Sequence, residues 1–173
     1  MRIRRILSRT VHLLDNISRW SGKLLALLIL LMIGIVIYEV TARYLFNSPT
    51  NWALEAATMV FGTYMICGGA YTLFNKAHVA MDLFYMRWSD RTKAIVDCIT
   101  YPVAAFFFGL ILWKSWSYGI ESIQMNEHAL SVWGPPLYHW KMTVPLGILL
   151  LMLQQLADLI RNLTLAITGE KLS

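Results

Sequence analysis

The pattern of apolar and polar positions divides the chain into four long hydrophobic runs separated by shorter polar connections. Leu24–Phe46 is the first run, and as a helix its twenty-three residues give roughly 34 Å, enough to cross about 30 Å of hydrocarbon. Asn47-Ser48-Pro49-Thr50-Asn51 reads as a turn by composition. Trp52–Phe74 is the second run, where Gly62, Gly68, Gly69 and Ala70 would let another backbone approach closely. Ala94–Trp116 is the third, with Pro102 expected to bend it. Met142–Ile160 is the fourth, with Pro145 expected in its first turn.

The connections carry helical periodicity of their own. Before the first run, Ile3, Ile6, Leu7, Val11, Leu14 and Ile17 recur at helical spacing among basic residues. Residues 3–20 therefore read either as an amphipathic helix lying on the membrane or as a solvated basic flank. That first run is too long for a cleaved signal peptide, and no small-residue cleavage site follows a short one. In 81–91, Met81, Phe84, Tyr85 and Trp88 share one face, which predicts a short interfacial helix. After the third run, Trp113, Trp116, Ile120, Ile123 and Leu130 keep the period with Glu121, Gln124 and Glu127 between them. An amphipathic segment over 117–131 follows, running straight on or lying flat, until Trp133-Gly134-Pro135-Pro136 breaks it.

Composition agrees with the pattern. The 173 residues are 57% hydrophobic, above the 45–50% of ordinary soluble domains, and the excess lies in blocks. The expected fold class is an all-α membrane protein, one domain over 1–173 with four transmembrane helices. A net charge of +5 is not a nucleic-acid signature, because six of the fifteen Lys and Arg precede Leu24 and flank a membrane span. Four more, Lys76, Arg87, Arg91 and Lys93, lie in the second connection and, with Trp88, are expected to hold anionic phospholipid headgroups. The first turn has none, so both termini are expected on the cytoplasmic side. Cys67 and Cys98 fall in apolar runs and are expected as free thiols.

Charges inside the runs are few. Glu39, Arg43 and Glu55 are the only ones between Leu24 and Phe74. A charge in lipid costs several kcal/mol unless partnered, on the order of 2.5–3.5 at a helix centre. Glu39 and Arg43 are four apart on one face, and Glu55 lies about one turn beyond the connecting turn. The three are expected to form an intramembrane ionic clasp between the first two helices. A rival reading makes Glu39 the proton carrier of a self-sufficient transporter, but an arginine beside it would keep it ionised. His78 and Asp82, also four apart, read as a switchable cytoplasmic pair or as a capped helix start.

No nucleophile motif, phosphate-cradling glycine loop or two-Cys metal spacing occurs, so no catalytic residues, metal or cofactor are expected. A haem-bearing redox anchor would need axial ligands projecting into the bundle, whereas His12, His78, His128 and His139 fall in flanks and connections.

The strings Arg43-Tyr44-Leu45-Phe46-Asn47, Trp52-x-x-Glu55, Gly68-Gly69-Ala70 and His78-Val79-x-Met81-Asp82 resemble, in order and spacing, the small membrane subunit of tripartite ATP-independent periplasmic (TRAP) transporters. The resemblance covers nearly the whole chain. It implies an inner-membrane subunit of a sodium-driven importer of organic anions such as carboxylates or sulfonates. The implied partners are a large multi-span transport subunit, which carries the solute by an elevator motion, and a periplasmic solute-binding protein. The small subunit would brace the large one and hold no substrate itself. Glu121, Gln124 and Glu127 are candidate contacts for the binding protein.

Overall fold

The computed structural model describes the backbone of residues 2–75 and 88–168, with the side chains of 7–75, 88–89 and 91–168. Among the described residues there are four helices and no strand: α1 (Arg2–Tyr44), α2 (Ala53–Phe74), α3 (Asp90–Gln124) and α4 (Leu137–Thr168). Each is long and apolar enough to cross a membrane.

α1 departs from expectation. The basic flank is not a separate helix over 3–20 but continues without a break into the first span, giving 43 residues. No proline interrupts it, and at Gly22 the ring of Tyr71 on α2 lies against the backbone where a side chain would otherwise stand. The helix stops through local chemistry. Asn47 takes a left-handed backbone (φ 49°), a conformation asparagine tolerates better than most residues, and Ser48 N–H donates back to the carbonyl of Ala42 at 2.9 Å.

α2 matches its expected bounds within a residue and carries Glu55 in its first turn, where a carboxylate favours the positive helix end. α3 starts on a side-chain cap: Ser89 is extended, and its Oγ accepts from Thr92 N–H at 3.2 Å. It runs through Pro102 and past Trp116 to Gln124 as one helix, so the first half of the 117–131 segment is its last two turns. Asn126, again left-handed (φ 47°), ends it. α4 begins five residues earlier than expected, so Pro145 sits inside it rather than in its first turn, fully buried against its neighbours. The expected interfacial helix over 81–91 falls largely outside the described residues.

The helices pack around α4, which touches the other three, while α3 packs principally on α4 alone. Small residues set the spacing. At Gly147 of α4 an added Cβ would stand 3.0 Å from the backbone of Ile66 on α2, so the two main chains pack closely there. Gly69 receives Leu151, and Gly62 receives the indole of Trp140, whose Nε1–H donates to the carbonyl of Met59 at 3.0 Å. Between α3 and α4, Gly119 receives Met142. Cys67 and Cys98 are free thiols, only partly buried.

Candidate functional site

The α1–α2 hairpin gathers its charges on Glu39. One oxygen accepts from Arg43 Nε at 3.0 Å and pairs with Arg43 Nη2, and the other accepts from Thr50 N–H at 3.2 Å and from the Thr50 hydroxyl. The carboxylate thus ties the last turn of α1 to the connection that leads into α2. Its side chain is 12% exposed and that of Arg43 50%, so the anion is sheltered and the guanidinium half in the open.

Glu55 does not join them. Its Oε2 accepts from Ser131 Oγ at 2.7 Å, so this carboxylate binds the connection between α3 and α4. The three-membered clasp is corrected to a pair plus Thr50. The reason lies in reach: Arg43 folds back one turn along its own helix, the favoured i,i+4 geometry, and Glu39 has filled its remaining lone pairs with Thr50.

The 125–136 connection is a tied turn. Ala129 N–H donates to the Pro135 carbonyl and Leu137 N–H to that of Glu127, both at 2.9 Å. Glu127 accepts from Ser122 at 2.7 Å and forms an ion pair with Lys141. Those donors, Lys141 first and Ser122 second, hold its carboxyl below the usual range. Trp133 continues a chain of rings, 6.3 Å from Trp52, itself 5.8 Å from Tyr38. Glu127, expected as an outward contact, is therefore spent on the fold, while Glu121 and Gln124 stay exposed on the end of α3.

At the opposite end lies a polar network that patterning missed. Gln154 is 0% exposed, Ser18 2% and Asp15 7%. Ser18 donates to Gln154 at 2.6 Å, Gln154 donates to Asp15 at 3.3 Å, and Asp15 pairs with Arg161, which also reaches Asp158 at 2.9 Å. Asn162 donates to Asp97 of α3 at 3.0 Å. The available signal was Gln154 inside an apolar run, since an amide in lipid must find a partner.

Of the expected headgroup anchors, Arg91 donates to the carbonyl of Ala166 near the C-terminal end of α4, at 3.2 Å, a favourable place for a cation. Lys93 is partly buried and Trp88 exposed. Lys76, Arg87, His78 and Asp82 lie outside the described residues. Among the described residues no group of three His, Cys, Asp or Glu side chains could hold a metal ion.

Four apolar helices of membrane-crossing length, held by small-residue contacts and buried polar pairs, define an integral membrane protein. Residues 32–165 match the family described as "Tripartite ATP-independent periplasmic transporters, DctQ component", and the chain belongs to that family. It is thus a small membrane component of a TRAP transporter. It is 25% identical, over 111 residues, to the C4-dicarboxylate TRAP transporter small permease protein DctQ of Vibrio cholerae serotype O1. The match covers 64% of this chain and 47% of that relative, so the chain spans about half the relative's length. No solved structure gave a significant match.

Proposed function

We propose that this chain is the accessory subunit of a sodium-driven TRAP importer of organic anions, that it lies in the inner membrane with both termini cytoplasmic, and that it braces a large transport subunit without carrying solute. One observation supports the bracing role most directly. Ile99, Val103, Phe106, Leu110 and Trp113 of α3 are all exposed and follow alternating steps of four and three. That is the spacing of a helix–helix seam, and no helix among the described residues covers it. A static neighbour laid along this stripe would be widened by four further helices and held in height by the Trp and Tyr rings at the interface. The rigid 125–136 turn is the surface offered to the solute-binding protein.

Affinity purification in a mild detergent tests the reading. The chain should bring down a roughly 12-span protein, and the double substitution of Phe106 and Leu110 by Ala should weaken that capture. Solute flux by this chain alone in liposomes, abolished by Glu39→Gln, would establish the self-sufficient transporter instead. Against that rival stands the position of Glu39, already engaged by Arg43 and Thr50.

A further inference from the structure

A groove of about 940 Å³ runs between α3 and α4, beside the exposed stripe. Its foot is at Gly109 and Leu149, its wall carries Trp113 and Trp116, and its mouth is formed by Ser117, Glu121 and Gln124 near the 125–136 turn. Polarity is therefore graded along its length, apolar at mid-helix and polar at the helix end. An added Cβ at Gly109 would meet nothing within 4 Å, so the foot is open space. Glu121 at the mouth is exposed and takes part in no ion pair among the described residues, whereas nearby Glu127 is held by Lys141.

We propose that this groove binds one phospholipid with a primary-amine headgroup, of the phosphatidylethanolamine type. An acyl chain lies along Gly109, Leu112 and Leu149. The ammonium donates to the Glu121 carboxylate, and the phosphate accepts from the Gln124 amide and the Ser117 hydroxyl. A free carboxylate at the headgroup level selects among lipids by charge and by donors. It repels an anionic phosphatidylglycerol, attracts a quaternary phosphatidylcholine without a hydrogen bond, and makes a charge-assisted hydrogen bond only with a primary amine. A flexible acyl chain can follow the aromatic wall along the length of the groove.

Native mass spectrometry of the full chain in mild detergent, titrated with phosphatidylethanolamine, phosphatidylcholine and phosphatidylglycerol of identical acyl chains, tests this. Wild type should retain the ethanolamine lipid about ten-fold over the glycerol lipid, the size of one charge-assisted hydrogen bond, with the choline lipid between. Glu121→Gln should bring the three together. Gly109→Leu, whose added Cβ meets nothing within 4 Å, should lower retention of all three while the thermal midpoint holds. Equal retention of the three lipids by wild type, or retention unchanged in Gly109→Leu, would overturn the proposal. So would a photo-crosslinker at Leu112 that captures a helix of another subunit while no lipid stays bound.

Discussion

Ser18 and Gln154 stand 136 residues apart in the chain and meet at 2.6 Å, hydroxyl to amide oxygen, with both side chains out of solvent. That contact and its neighbour Asp15 fix the N-terminal half of α1 against α4. Gln154→Leu should therefore lower stability by about 1–2 kcal/mol, the range for interhelical hydrogen bonds in lipid, read as a fall in thermal midpoint in detergent. Gln155→Leu, one position along and outside the network, should change it little.

Gly147 gives a second expectation. Its added Cβ would meet the Ile66 backbone, which cannot swing aside as a side chain would. Gly147→Ala should destabilise by about 1–3 kcal/mol, and larger side chains should prevent accumulation of folded protein. Gly34→Ala has open space around it and should be neutral or slightly stabilising. Equal effects of the two alanine substitutions would contradict the packing described.

The Glu39 contacts separate two carboxylates that look alike in the sequence. Arg43→Leu should leave Glu39 held by Thr50 alone and loosen the α1–α2 hairpin only slightly, because the guanidinium is half exposed and screened. Glu55→Ala should leave that hairpin intact and instead free the 125–136 turn, since Glu55 is bound to Ser131. Protease cleavage near Ser131, rising in Glu55→Ala and unchanged in Arg43→Leu, distinguishes them.

Acid should release the same turn by another route. The Glu127 carboxyl is lowered in the folded chain from its ordinary value of 4.5, so its contribution is complete above that value and disappears as pH falls through the lower folded one. Trp133 emission followed from pH 7 downward should change in that acid window. Lys141→Gln should shift the change upward or abolish it.

Spacing alone carried most of the architecture. Four apolar runs became four helices, while Gly62 and Gly69 received the side chains of Trp140 and Leu151 rather than the backbone expected there. What spacing could not carry was the choice of partner. Arg43 had two carboxylates to choose between, and only the path of the connections puts Thr50 on Glu39 and Ser131 on Glu55. Asp15 looked like a lone acid in a basic flank, because its companions Gln154 and Arg161 lie at the far end of the chain. The continuity of α1 was hidden for the same reason: a surface helix and the overhang of a long span share one amphipathic pattern until a second helix is seen against it.

A helix of 43 residues is about 64 Å long, twice the thickness of hydrocarbon it must cross. The N-terminal half of that length is stayed to α4 by Asp15 and Ser18, and no break in the helix separates this anchorage from the Glu39 carboxylate near its other end.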